Sequence, residues 1–412
     1  MTVAAHFDHE IHHIDFDSAF LNSPLKEEIF MKQIPGFETG PKSHIYKLKK
    51  SIYGLKQSPR DWWILLRESL RALNWTPTIS DECLFTRFLP CGTLCYLLVY
   101  VDDIIIVAPT LAAVDFFKQE LKRCFSMKDL GEVNCILGIK VTRTRPKKLI
   151  KLDQSALISQ YSVMYGKGIR RNHCPVLDVE NQNNQDHPLF DENEFLSRTS
   201  ALQYISGRTR PDIAAIVGFL SRRVKSHTID DCATLTKIFD YLETTKSMSL
   251  TLNGNGPLNL STYVDADWAG DPNNRLSTSG AVLYVGKSPI IWYSKRQQCQ
   301  ALSTMEAEYV AMTESLKDIS FIKNMLTELK VEIPETPVLY CDNQAAIAVS
   351  LSQGNRRRVR HIDLRFHYIR DYVERGDVVL KYINTSDNRS DSMTKTLGKI
   401  KFIISRDLLC VY

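Results

Sequence analysis

Two apolar, β-branched runs, Leu97-Leu98-Val99-Tyr100-Val101 and Ile104-Ile105-Ile106-Val107-Ala108, are separated only by Asp102 and Asp103. That spacing predicts a β-hairpin with both aspartates at its tip. Aspartate is common in turns, so a plain polar turn is the simplest reading. Two observations weigh against it. A two-residue hairpin tip needs positive φ, which Asp-Asp supplies poorly. Adjacent carboxylates between apolar strands also repel each other unless a cation neutralises them. A divalent magnesium or manganese ion with oxygen ligands would do so, and it calls for a further carboxylate elsewhere. Asp15 and Asp17 flank Phe16 in an alternating segment that runs into a turn, so alternation places both on one face. Taken singly, each reads as a surface acid.

A chain of 412 residues is too long for one ordinary core, and two or three domains are expected. Residues 1–150 mix short apolar runs with helix-like segments. Residues 151–255 read as mainly helical, with an Asn- and Asp-rich loop over 172–193, and Asn253-Gly254-Asn255-Gly256-Pro257 marks the next break. From Leu258 the pattern is strand, turn, strand, long helix, strand, helix. The net charge of +5 suits a polyanionic partner without identifying one. Basic residues gather at Lys140–Lys148 and Arg356–Arg360, where solvated faces are the commoner explanation. The first ten residues lack the basic start and apolar stretch of a signal peptide, and the longest apolar segment is too short to span a bilayer. The ten cysteines are scattered singly, so free thiols in a reduced, intracellular compartment (cytoplasm or nucleus) are expected.

Periodicity picks out a second set of acids. Asp265 and Asp342 close apolar strands, and a helix is predicted from Ser303-Thr304 to about Leu329. Met312, Leu316, Ile319, Ile322, Leu326 and Leu329 form its apolar stripe. Glu308 lies one turn before Met312 and continues the stripe, whereas Glu306 points about 120° away. A carboxylate on a core face needs a partner or a cation, which makes Glu308 the functional candidate. Asp391 lies in a short helix-prone segment and reads equally as an exposed acid. His361 and His367 have no cysteine ligands nearby, so zinc is not expected. With Arg365 and Arg370 they cover the surface or touch phosphate.

At these residues the sequence resembles the reverse transcriptases of copia-type LTR retrotransposons. Asp15-Phe16-Asp17-Ser18-Ala19-Phe20-Leu21-Asn22 resembles the first catalytic motif. Ser51-Ile52-Tyr53-Gly54-Leu55-Lys56-Gln57-Ser58-Pro59-Arg60-Asp61-Trp62 resembles the template and nucleotide motif, with Tyr53, Gly54 and Gln57 as its candidate contacts. Tyr100-Val101-Asp102-Asp103 matches the polymerase signature. The resemblance implies that Asp15, Asp102 and Asp103 hold two magnesium ions (Mg2+, or Mn2+) for nucleotidyl transfer. It places Phe20 beneath the sugar, where its ring would exclude a 2′-hydroxyl, although Phe20 reads equally as a strand-end core aromatic. Met127-Lys128-Asp129-Leu130-Gly131 through Ile139 is expected to lead into a helical thumb, and Thr209-Arg210-Pro211-Asp212-Ile213 also matches. Neither supplies obvious chemistry.

The last third resembles the copia-type RNase H domain through Asp265-Ala266-Asp267-Trp268, Ser277-Thr278-Ser279-Gly280, Ile291-Trp292-Tyr293-Ser294-Lys295, Glu306-Ala307-Glu308-Tyr309, His361-Ile362-Asp363-Leu364-Arg365 and Ser390-Asp391-Ser392-Met393-Thr394-Lys395. By that resemblance Asp265, Glu308, Asp342 and Asp391 bind two further magnesium ions that activate water against the RNA strand of an RNA–DNA hybrid. The fold class expected is α/β and α+β: a palm with the start of a thumb (1–150), a helical thumb or connection (151–255), and an RNase H-like α/β domain (256–412). The partners implied are an RNA template, a DNA primer, the hybrid, and deoxynucleotides if the polymerase is active. No membrane is expected. Only fourteen residues precede Asp15, so the fingers segment and its triphosphate clamp are expected to be missing. Polymerase activity should then be weak unless other Pol segments or a second copy of the chain supply them. A palm sheet without fingers should expose an edge and apolar surface. A non-catalytic, nucleic-acid-binding transposon remnant is the alternative.

Overall fold

The apolar runs around Asp102 and Asp103 pair as strands in the computed structural model, which describes residues 1–41, 43–166, 174–175, 188–271, 274–352, 363–395 and 397–412, with the side chains of 363–366 left aside. The basic run Arg356–Arg360, His361 and most of the 172–193 loop fall outside the described residues, as does the Arg365 side chain. Two units form: residues 8–136 with 328–330, and residues 1–7 with 137–327 and 331–412.

The first unit is built on a six-stranded antiparallel sheet, beside which Phe30–Lys32 pairs with Ile45–Lys47. Its elements are β1 (Glu10–Phe16), α1 (Ser58–Ala72), β2 (Thr76–Pro77), β3 (Leu84–Phe88), β4 (Leu94–Tyr100), β5 (Asp103–Ala108), α2 (Leu111–Cys124) and β6 (Met127–Glu132). The strand order is β2-β3-β4-β5-β1-β6. Strand alternation sends Ile104, Ile106, Ile14 and Phe16 into a core shared with Trp62, Leu66 and Leu70 of α1 and Val114, Phe117 and Leu121 of α2. Those helical residues recur at three- and four-residue spacing, which is why two amphipathic helices cover the sheet. Thr110 caps α2 by accepting from the Ala113 N–H. Met127–Glu132, expected to lead into a helical thumb, forms β6 beside β1. Phe30, Ile34, Phe37 and Ile45 are exposed, with Phe37 at 74%.

The second unit contains β7 (Ile139–Thr144), β8 (Leu149–Asp153), α3 (Ser155–Tyr165), α4 (Glu192–Ser206), α5 (Ala214–Ser221), α6 (Ile229–Thr244), β9 (Leu250–Asn253), β10 (Leu260–Asp267), β11 (Thr278–Val285), β12 (Ser288–Arg296), α7 (Thr304–Glu328), β13 (Val338–Cys341), α8 (Gln344–Leu351), α9 (Asp363–Glu374), β14 (Val379–Tyr382), α10 (Asp391–Thr394) and α11 (Lys399–Leu408). Antiparallel β7, β8 and β9 bracket the helices. Within those helices Arg210 grips Asp212 through two nitrogens, at 3.0 and 2.7 Å, while Tyr241 donates to the same carboxylate at 2.5 Å. Both charged side chains are fully buried. Thr209-Arg210-Pro211-Asp212 is therefore a structural ion pair in a dry core, where removing one partner strands the other.

The five-stranded sheet runs β12-β11-β10-β13-β14. Its first three strands are antiparallel, and β13 and β14 join parallel to β10. Three strands precede the long helix where the sequence pattern suggested two, because β11 is buried along its whole length and shows no alternation. The predicted helix α7 begins at Thr304 as expected, and its Ala307–Met312 stretch is buried. Both units are mixed α and β, as expected.

Candidate active sites

The hairpin carrying Asp102 turns one residue earlier than its sequence suggests. Tyr100 pairs with Asp103, so the two central turn residues are Val101 and Asp102, and Asp103 is the first residue of β5. Val101 supplies the positive φ, 59°. A β-branched residue rarely adopts that conformation, and it costs about 1–2 kcal/mol. The surroundings hold it there: the Trp62 indole N–H donates to the Val101 carbonyl at 2.6 Å, and the Phe16 N–H donates to the Asp102 carbonyl at 2.9 Å. Asp15 lies directly opposite Asp103 across β1 and β5. His13, two residues along β1, holds the Asp103 carboxylate at 2.6 Å. Asp17 is engaged elsewhere, with Ser126 at 2.6 Å and Lys128 at 3.6 Å.

Two predicted nucleotide contacts gather beside these acids. The rings of Phe20 and Tyr53 meet at 4.6 Å. Burial first, then the nearby charges of Asp102 and Asp15, push the Tyr53 phenol above its ordinary range. Gly54 follows with φ of 99°, and Gln57 stands at the start of α1.

The second set forms at the ends of adjacent strands. Asp265 and Asp342 each lie two residues beyond the last β10–β13 pair, Tyr263 with Tyr340. Glu308, on the first turns of α7, accepts from the Ala266 N–H at 3.2 Å. Asp265 is 1% exposed and Glu308 5%. Burial pushes Asp265 up to about 6, with Lys395 and Thr394 partly offsetting it. Glu308 rises to about 9, through burial and then through the charges of Asp265 and Asp342. Asp391 opens α10 and accepts from Lys395 at 2.6 Å. The same ammonium lies 3.3 Å from Asp265, and the Thr394 hydroxyl donates to Asp265 as well. Glu306, assigned to the other face, accepts from the Leu302 N–H at 2.7 Å, so it caps the helix. Arg370 donates to the Ser352 carbonyl, a structural tie at the end of α8.

The gathering is uneven. Among the described residues, the ligand-type group whose donor atoms all lie within 4.8 Å of one another is Glu308, Cys341 and Asp342. Asp265 turns instead toward Thr394, Lys395 and, through Lys395, Asp391. Cys341 was not singled out by sequence; burial and then Glu308 hold its thiol protonated, and it donates weakly to Glu308 at 3.8 Å. A protonated thiol is a poor ligand, so what remains is a hard oxygen set suited to magnesium or manganese. Lys395 was not singled out by sequence as a partner of these acids, and His13, one of four histidines that are the basic residues before Asp15, was not matched to Asp103. Lys395 sits four residues after Asp391, a spacing that reads as an ordinary surface pair.

Carboxylates concentrated at strand ends, with an ammonium among them, are an arrangement that could hold divalent metal beside a phosphodiester. The reverse transcriptase (RNA-dependent DNA polymerase) family model matches residues 1–167. The Pol polyprotein of the tobacco transposon TNT 1-94 is 35% identical over 99% of this chain, and the chain spans 31% of that polyprotein. The putative transposon Ty5-1 protein of Saccharomyces cerevisiae is 30% identical over 74% of this chain and is covered completely. The chain belongs to the family of copia-type retrotransposon Pol polyproteins. A solved RNase H1 from compost, LC11-RNase H1, is 18% identical, with a TM-score of 0.27 over 33% of this chain and 92% of that one. Among the described residues no helix is long and apolar enough to cross a membrane.

Proposed function

We propose that the chain is the reverse transcriptase–RNase H portion of its polyprotein, with cleavage of RNA in RNA–DNA hybrids as its principal chemistry. The division proposed is palm and start of thumb over 1–150, helical thumb or connection over 151–255, and RNase H-like domain over 256–412. One observation carries the reading: Glu308 and Asp342 come together from a helix and a strand end, the charge of Asp265 on the neighbouring strand is felt at Glu308, and Glu308 stays protonated up to about 9 without a cation. Such a set is unstable as anions alone and is relieved by divalent metal.

Asp265, Glu308, Asp342 and Asp391 would hold two magnesium or manganese ions, which supply Lewis acidity to the phosphodiester and an activated water. The Ala266 N–H orients Glu308, and the Thr385 hydroxyl orients Asp342 at 2.8 Å. Lys395 offsets the charge of Asp265 and Asp391 before substrate arrives. In the palm, Asp15, Asp102 and Asp103 would take the equivalent ions. Phe20, Tyr53, Gly54 and Gln57 would face the incoming deoxynucleotide, with RNA template and DNA primer beyond. An intracellular site of action follows from those substrates.

Magnesium-dependent cleavage of an RNA–DNA hybrid is the test. Wild type should cut the RNA strand, and Asp265→Asn and Glu308→Gln should each lose at least about two orders of magnitude in rate. Equal behaviour of all three proteins would favour the non-catalytic remnant. Primer extension, with Asp102→Asn as the control, should be weak in the isolated chain; robust synthesis would show that nothing further is needed to hold the triphosphate.

A further inference from the structure

A cleft of about 420 Å³ lies within the second unit, between α5 and the sheet end that carries the acids. Ile216 and Phe219 form an apolar wall, while Arg222, Arg296, Asp267 and Lys395 supply charge. Helix α5 is pressed onto β12: a Cβ on Gly218 would stand 3.1 Å from the Ser294 carbonyl.

The cations of this cleft are not equivalent. Lys395 is held by Asp391, Arg223 by Asp231 at 2.8 Å, and Arg296 by Asp271 at 3.2 Å. Arg222 is half-buried, and its side chain makes no hydrogen bond or ion pair to a described residue; its guanidinium stands 6.0 Å from the Phe219 ring. Burial and the neighbouring Arg296 both oppose its charge, and Asp271 and Asp267 offset them only in part. A guanidinium cannot shed its proton, and among the described residues the half-exposed Arg222 donors have no acceptor, which leaves them to water or to a ligand in the cleft. The arrangement calls for an anion.

The position says which anion. Asp267 lies two residues along β10 from Asp265, on the same face. Its carboxyl feels Lys395 and Arg222 together. The cleft therefore continues from the carboxylate centre, and a free anion entering it would meet Asp267 and Asp271. A nucleic-acid strand anchored along its length tolerates that repulsion, and its sugars suit the Ile216–Phe219 wall, which a bare phosphate leaves unused.

We propose that Arg222, backed by Arg296, binds a backbone phosphate of the strand leading away from the Asp265–Glu308–Asp342 centre. The helical segment before the nuclease portion thereby contributes a substrate-binding residue. This rests on the hybrid-cleavage reading above.

Hybrid binding measured by fluorescence anisotropy in EDTA, where nothing is cut, tests the cleft apart from catalysis. Arg222→Gln should weaken binding about tenfold and reduce the slope of log K against log salt by about one. Arg222→Lys should recover most of the slope. Arg375→Gln, an exposed arginine paired with Asp377 at 3.0 Å, should change neither quantity. Unchanged affinity and slope in Arg222→Gln, or a loss no larger than that of Arg375→Gln, would overturn the proposal. So would displacement of the hybrid by inorganic phosphate at matched phosphate concentration. Should Arg222→Gln unfold, Arg296→Gln gives the same readout. Arg222-dependent binding without cleavage would remove the nuclease reading and leave the cleft; cleavage with Arg222-independent binding would do the reverse.

Discussion

His12 is a buried histidine whose charge the first unit excludes. Burial first, then Lys118, lowers its pKa from the ordinary 6.5, while Glu10, Asp129 and Glu132 pull the other way. Lys118 donates to the His12 ring at 2.9 Å and to Asp129 at 2.6 Å, so a second positive charge would face the ammonium. As pH falls, the unfolded chain takes up this proton first. Stability from the neutral imidazole is fully present above 6.5 and is lost as pH falls toward the folded value. Urea unfolding midpoints at about pH 7.5 and 5.5 should therefore fall further apart in wild type than in His12→Gln, which keeps an acceptor for Lys118 and cannot titrate. Equal differences in the two proteins would assign the acid sensitivity to other groups.

Two short elements position acids at some local cost. At the hairpin, Val101 is held at positive φ, and its side chain is partly exposed. Val101→Gly should remove about 1–2 kcal/mol of strain while adding about 0.5–1 kcal/mol of backbone entropy cost. The expected result is a neutral to slightly higher melting temperature; a loss above roughly 1 kcal/mol would mean that the turn is unstrained. In the second unit, α10 lies against β11 at Gly280, where a Cβ would meet the Met393 Cβ and the Thr394 Cγ2, each at 2.7 Å. Both atoms sit on α10, so a side chain there must push the helix off, and Asp391 and Lys395 move with it. Gly280→Ala should cost about 1–3 kcal/mol and weaken manganese binding measured calorimetrically. Intact metal affinity would show that α10 does not depend on this contact.

For the whole molecule, the acid cluster is a stability liability that a bound divalent metal would convert into a gain. Glu308 rises from 4.5 to about 9, so the folded chain holds a proton that the unfolded chain releases. Metal-free stability should fall as pH rises across that window. Glu308→Gln cannot ionise, so it should flatten the decline and gain roughly 1–3 kcal/mol near neutral pH. Magnesium at about a hundred times its dissociation constant should raise wild-type stability by about 2.7 kcal/mol and the variant by much less. Differential scanning calorimetry with and without magnesium separates these outcomes. A variant less stable than wild type in EDTA would contradict the cluster's electrostatics.

Residue order alone determined the family, the mixed α/β architecture, the strand-end acids and the burial of Glu308. Those features depend on motif spacing and on periods of two and 3.6 residues, which are local. The turn was misplaced by one residue because Val101 adopts a conformation its own preferences oppose, held by the Trp62 bond to its carbonyl and the Phe16 bond to that of Asp102. Tertiary structure alone decided which acids meet: Cys341 beside Glu308, Lys395 and Thr394 against Asp265 from about 130 positions away, and Arg222 in the cleft beyond. Contacts at such separations come from the packing of α5, α7 and α10 on one sheet, and no short-range pattern encodes them.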